Sequence, residues 1–263
     1  MDWIEILSYG VSGAVGAVIG YLIVGDKKER RGVYTIVTIA AMYAVHALAV
    51  QFVLPSVYDW GADRELRSNP LYSEIADSDP ETYKKSKATL LDGLKKGEPK
   101  EVIERQVASI IESTLPQYIP NASDDSVNAF VSLAARDAKD LNLINPDACY
   151  QLLFPRKFSS PNSTRLDDAA TNKTLAAMAA VLHSATHNPQ PPPDVKESEQ
   201  LLEPIRNELA KKYGSDLLLV QGTAKDSAER GKVCNIAIDL YEGILSLPPK
   251  ESSEVLRDLL SSK

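Results

Sequence analysis

The chain has 263 residues, a hydrophobic fraction of 44% and a formal net charge of −7. Residues 1–55 contain as many basic as acidic side chains, so all of the excess negative charge lies in the rest of the chain. An acidic domain is a poor partner for nucleic acid, which rewards basic surfaces, and it gains nothing from an anionic lipid surface. We therefore expect no nucleic-acid partner.

Two long segments near the N-terminus are free of charge. Neither residues 6–24 nor, with His46 neutral, residues 33–54 contain a charged side chain. Either segment can form a helix that crosses the roughly 30 Å hydrocarbon core of a bilayer. A signal peptide is one alternative for the first segment, but Met1–Glu5 lacks the basic region of such peptides. Buried core helices are the other alternative. The sequence predicts a transmembrane helical hairpin over residues 1–55, set in the lipid bilayer.

The connection between the predicted spans gives them an orientation. Residues 25–32 are short enough to force an antiparallel hairpin, and they contain Lys27, Lys28, Arg30 and Arg31. Basic loops tend to stay in the cytoplasm. Both ends of the hairpin are then expected on the other side, which places the remainder of the chain in the periplasm and the protein in a bacterial inner membrane.

Small residues recur every four positions in the first span and therefore share one face of the helix. Such faces let helix backbones approach closely, which is how membrane helices gain packing energy. Two kinds of partner fit this stripe: the alanines of the second span, or a partner subunit or second copy of the chain. The stripe is Ser8, Ser12, Gly16 and Gly20, and the alanines are Ala40, Ala41, Ala44 and Ala47.

His46 and Gln51 are polar residues inside the second predicted span. Polar groups at membrane depth often serve function. A proton or ion pathway normally needs more than one such group, although oligomerisation could supply the others. The simpler interpretation assigns His46 to a hydrogen bond between packed membrane helices.

The remainder of the chain has the pattern of a helical domain. Residues 56–78 are predicted to form a juxtamembrane linker and residues 79–263 a soluble domain. Apolar residues recur there at helical spacing, and Asp79-Pro80 and Asn145-Pro146 match the cap-plus-proline start of a helix. The predicted fold class is all-α, with six to eight helices following the hairpin.

Two segments interrupt the helical pattern. Residues 216–221 are the only plausible strand, and a single strand cannot form a sheet. The proline-rich segment 188–194 is expected to be extended and semi-rigid. It either separates two subdomains or forms one surface loop.

The chain has two cysteines, Cys149 and Cys234, each among apolar neighbours on a predicted helix. If the domain is periplasmic, its compartment is oxidising and a disulfide is allowed. The alternative is a pair of buried free thiols, which are common in protein cores. The predicted topology favours a Cys149–Cys234 bond.

His183 and His187 are four residues apart on a predicted helix and share a face, which is a spacing used by metal ligands. No carboxylate stands between them as in HExxH, and the sequence does not identify a third ligand. Histidines near a helix C-terminus are also favoured by the helix dipole alone. The pair is a candidate metal site, and no cofactor is predicted.

The sequence contains no recognisable catalytic set. GxSxG, P-loop and GxGxxG patterns are absent. Asp124-Asp125 and Asp167-Asp168 are adjacent carboxylates, but both pairs stand at predicted helix starts, where acids are favoured in any case. The lack of a motif favours a protein that is not an enzyme.

Three functions remain in view. The leading hypothesis is a non-enzymatic inner-membrane subunit of a larger assembly. Its partners are membrane-protein subunits, or second copies bound through the first span, and its periplasmic domain contacts other proteins. The first alternative is a membrane-anchored periplasmic hydrolase acting on the cell envelope. The second reverses the topology and makes the domain a cytoplasm-facing signalling or adaptor module.

Overall fold

The computed structural model describes residues 12, 14–15, 17–18, 31–48, 51, 54–154, 168–222 and 224–261. The chain divides into two compact units, Met1–Glu65 and Leu66–Lys263. No strand occurs among the described residues, so the predicted all-α fold class is confirmed.

The helices follow one another with short connections. They are α1 Arg31–Leu48, α2 Leu54–Arg67, α3 Pro70–Ser78, α4 Pro80–Lys96, α5 Lys100–Thr114, α6 Asp124–Ile144, α7 Pro146–Leu153, α8 Asp168–His187, α9 Val195–Tyr213, α10 Leu218–Gln221, α11 Ser227–Leu245 and α12 Pro249–Leu259. Residues 56–78, expected to be a linker, contribute most of α2 and all of α3. The strand predicted over residues 216–221 is wrong, because this segment is the end of the 3-10 helix Gly214–Leu217 followed by α10.

The first unit contains α1 and the part of the first predicted span that is described, which is helical at residues 12, 14–15 and 17–18. Within the described residues, no helix combines the length and the apolar character needed to cross a membrane. Most of the first predicted span lies outside the described residues, and the hairpin stays a prediction.

Side-chain caps explain where several helices of the second unit begin. Asp79 accepts a hydrogen bond from the Thr82 N–H ahead of α4, and Asn145 accepts one from the Asp147 N–H ahead of α7. Both caps precede a proline, which needs no partner for its nitrogen in the first turn. The two predicted cap-plus-proline starts are confirmed.

The second unit is held together by three apolar clusters. The first joins α6, α8, α9, α11 and α12, the second joins α6, α7 and α11, and the third joins α3, α4, α5 and α8. Tyr118 and Met178 pack against both the first and the third cluster and so connect them. Helix α8 contributes Val181 to one cluster and Leu182 to the other. This double burial fixes the rotation of α8 and therefore the direction of its histidines.

The proline-rich segment is hydrogen-bonded to residues far away in the sequence. Gln190 donates its N–H to the carbonyl oxygen of Asn121 at 2.8 Å. The buried guanidinium of Arg257 donates to the carbonyl oxygen of Pro191 at 3.0 Å. Because proline carbonyls remain available as acceptors, this segment is anchored although it has no regular structure.

Candidate functional site

The two candidate histidines meet a carboxylate from another helix. His183 and His187 lie in the last turns of α8, and Glu74 lies in the middle of α3. His183 Nδ1 is 3.2 Å from Glu74 Oε1, and His187 Nδ1 is 3.8 Å from the same oxygen. The two imidazole rings are stacked with centroids 4.2 Å apart. One ligand atom from each of the three side chains lies within 4.8 Å of the other two.

A chain of hydroxyl groups supports this cluster from the inner side. Ser78 donates a hydrogen bond to Glu74 Oε1 at 2.6 Å, and Thr186 Oγ1 donates to Ser78 Oγ at 3.2 Å. Thr186 Oγ1 is also 3.0 Å from His187 Nδ1. The same hydroxyls therefore contact both the carboxylate and one imidazole, which orients the two groups relative to each other.

The cluster lies at the edge of an open groove with a volume of about 570 Å³. His183 and Glu74 line it together with the exposed carboxylate of Asp125. On its floor, Ser184 Oγ accepts a hydrogen bond from the Ser123 N–H at 3.1 Å and lies 2.9 Å from Ser126 Oγ. The groove therefore offers a negative charge and hydroxyl groups beside the imidazoles.

The sequence identified the two histidines but could not identify Glu74. Glu74 is 109 residues from His183 in the chain, and only the packing of α3 against α8 brings them together. The side chains of His183 and His187 are 56% and 49% exposed, whereas that of Glu74 is 19% exposed. The arrangement can hold a divalent cation. Without a cation it is a histidine–carboxylate hydrogen bond at the surface.

The predicted disulfide is confirmed between Cys149 on α7 and Cys234 on α11. Both residues are fully buried in the second apolar cluster. Beside them, Arg230 donates to both carboxylate oxygens of Asp147, at 2.8 and 3.3 Å. These hydrogen bonds lower the pKa of the Asp147 carboxyl, against the opposing effect of its partial burial.

The predicted membrane-packing residues are only partly described. Ser8, Gly16 and Gly20 lie outside the described residues. Ser12 is buried, whereas Ala14 and Val18, on the opposite side of a helix, are exposed. In α1, His46 is half-buried.

The alanines of the second predicted span are not its covered side. Ala40, Ala44 and Ala47 are exposed and Ala41 is half-buried. Helix α1 therefore leaves most of its alanine face uncovered within the described residues.

The adjacent carboxylates do not form a shared acid–base pair in the described part of the chain. Asp124 accepts a hydrogen bond from the hydroxyl of Ser253 and lies 3.7 Å from the guanidinium of Arg257. Asp125 instead lines the groove beside His183. Asp167 and the side chain of Asp168 lie outside the described residues.

The chain was compared with known proteins at three levels. No protein-family model, no curated protein sequence and no solved structure matches it.

Proposed function

We propose that this protein is a non-enzymatic subunit of a larger assembly in a bacterial inner membrane. Residues 1–55 form its transmembrane hairpin, with residues 25–32 in the cytoplasm. The helical unit from Leu66 onward then lies in the periplasm, where it contacts partner proteins.

The disulfide carries the placement of the helical unit. Disulfide bonds persist in oxidising compartments such as the periplasm and are rare in the cytosol, where thiols are kept reduced. Cys149 and Cys234 are bonded and fully buried, so the bond is part of the core rather than an accessible regulatory pair. This placement agrees with the orientation that the basic loop predicts on separate grounds.

Two exposed aliphatic side chains support a role in protein contact. Leu143 and Ile144 end α6 and are 84% and 75% exposed. Large apolar side chains that stand together on a surface are typical of sites that another protein covers. The hydroxyl-lined groove beside His183 is open, as expected for a surface that receives a protein better than a small molecule.

A differential thiol-labelling experiment on whole cells tests the compartment. Free thiols of the full-length protein are blocked by a small maleimide under denaturing conditions, and a heavy maleimide is added after reduction. We expect two heavy labels per chain, which appear only after reduction. Cells treated with a reductant before blocking serve as the control. Free thiols in untreated cells would overturn the periplasmic placement and favour the cytoplasm-facing adaptor.

The role of the hairpin in assembly is tested separately. Gly16→Leu combined with Gly20→Leu enlarges the small-residue stripe, and we expect a smaller complex in mild detergent with unchanged membrane insertion. Ala14→Leu combined with Val18→Leu is the matched control, because these residues lie on the opposite side of the same helix. An unchanged complex size in the glycine variant would contradict this part of the proposal.

A further inference from the structure

We propose that Glu74, His183 and His187 form a binding site for a zinc ion that connects α3 to α8. This inference goes beyond the function proposed above and depends on the fold of the helical unit alone. It holds for either orientation of the membrane hairpin.

The donor set selects the class of metal. Two imidazole nitrogens and one carboxylate oxygen are ligands that zinc uses with three protein groups and an open fourth position. Calcium and magnesium prefer sites made of oxygen atoms. Glu74, His183 and His187 therefore favour zinc over the alkaline-earth cations.

The distances fit a single ion. Ligands about 2.1 Å from a tetrahedral zinc ion lie roughly 3.4 Å from one another. The distances from Glu74 Oε1 to the two Nδ1 atoms, 3.2 Å to His183 and 3.8 Å to His187, lie on either side of this value. Small rotations of two half-exposed imidazole rings are enough to bring the three side chains onto one ion.

The surroundings hold the ligands in place. Metal ligands are normally oriented by hydrogen bonds from a second layer of residues. Here Ser78 donates to the carboxylate of Glu74, and Thr186 contacts both Ser78 and His187. Leu182, between the histidines in sequence, is buried, and it fixes the face that α8 turns toward α3.

The open position of the ion is accessible. His183 and Glu74 line the groove that also contains Asp125. Water or a donor group of a bound protein can therefore reach the fourth position from the groove. Zinc at this site would add a bond between two helices whose ligands are 109 residues apart in sequence.

The test uses the full-length protein, purified in detergent and freed of metal with a chelator. Zinc alone is then titrated in competition with a chromophoric chelator. We expect one zinc per chain, and at least tenfold weaker binding for Glu74→Gln and for His187→Gln, because loss of a ligand matters at least as much as loss of a residue that orients one. Cobalt should replace zinc and give the visible absorption of a tetrahedral site.

Two control variants separate this site from general binding. Asp77→Asn removes an exposed carboxylate from the same helix, and His46→Gln removes the third histidine of the chain. Both should bind zinc like the wild type, and circular dichroism should show that all variants are folded. The proposal is overturned if the wild type binds no zinc, or if folded Glu74→Gln and His187→Gln variants bind it unchanged. Neither result affects the thiol-labelling test.

Discussion

Two links between distant helices dominate the second unit, and they differ in how they are closed. The Cys149–Cys234 bond joins α7 to α11 over a sequence separation of 85 residues. The Glu74–His183–His187 cluster joins α3 to α8 over 109 residues between Glu74 and His183. The first link is covalent and fully buried, whereas the second consists of half-exposed polar groups.

This difference in burial has an energetic consequence. A buried covalent link constrains the chain whatever the solution contains, apart from its redox state. A histidine–carboxylate contact at the surface is weakened by water and salt, so it contributes little alone. The second link becomes strong only when an ion replaces water between its members.

Opening the disulfide should have the largest effect. Closing a loop over a separation of 85 residues stabilises a protein by about 4 kcal/mol in the chain-entropy model. We expect reduction of the wild-type protein to lower the free energy of unfolding by about this amount, measured by urea denaturation with circular dichroism. Cys149→Ala combined with Cys234→Ala is the control and should not respond to reductant. A wild-type midpoint that does not change would remove the disulfide from the comparison.

Filling the second link should have the next largest effect. A ligand that binds only the folded protein, at a hundredfold excess over its Kd, stabilises it by about 2.7 kcal/mol. Zinc at that excess should raise the free energy of unfolding accordingly, and the gain should disappear in Glu74→Gln. Equal stabilisation of the wild type and Glu74→Gln would show that zinc acts elsewhere.

The ion pair beside the disulfide gives a smaller, pH-dependent effect. Arg230 lowers the pKa of Asp147 in the folded protein, so this contribution is complete above the ordinary pKa of a carboxyl group. It is lost as the pH falls through the lowered value. Because Asp147 is partly exposed, we expect Asp147→Asn to lose about 1 kcal/mol at neutral pH and much less near pH 3.

Urea denaturation at the two pH values measures the Asp147 effect. Asp216→Asn is the matched control, because Asp216 pairs with Lys232 of the same helix α11 at an exposed position. It should change stability by only a few tenths of a kcal/mol. A loss for Asp147→Asn that is the same at both pH values would contradict the assigned ion pair.

Much of the fold could be predicted from local patterns. Helical spacing and the caps at Asp79 and Asn145 are properties of neighbouring residues, and the sequence records them directly. Asn69-Pro70 has the same pattern, and Asn69 does accept a hydrogen bond from the Leu71 N–H ahead of α3. The signal for α3 was therefore present, although the polar residues around it favoured a linker.

The error at residues 216–221 has a different cause. A short apolar run does not distinguish a strand from a buried turn of helix. Leu219 and Val220 pack against the second cluster while Leu218 stays exposed, and only the neighbouring helices decide this arrangement.

The two links were not equally predictable. With two cysteines in the chain there is one possible pairing, so the compartment was the only further information needed. Glu74 is one of 36 acidic residues, and nothing near it in sequence refers to the histidines. The packing of α3 on α8 selects it, and that packing depends on residues scattered over half the chain.

The smallest expected effect tests the weak link without its ion. In the presence of a chelator, Glu74→Gln should change the free energy of unfolding by less than about 0.5 kcal/mol, because the contact with His183 is largely exposed and glutamine can still accept the Ser78 hydroxyl. Urea denaturation in chelator measures this, with Asp77→Asn as the control. A loss above about 1 kcal/mol would mean that the cluster stabilises the fold unaided. The two links would then differ in strength but not in kind, and the half-exposed position of the histidines would no longer imply a ligand.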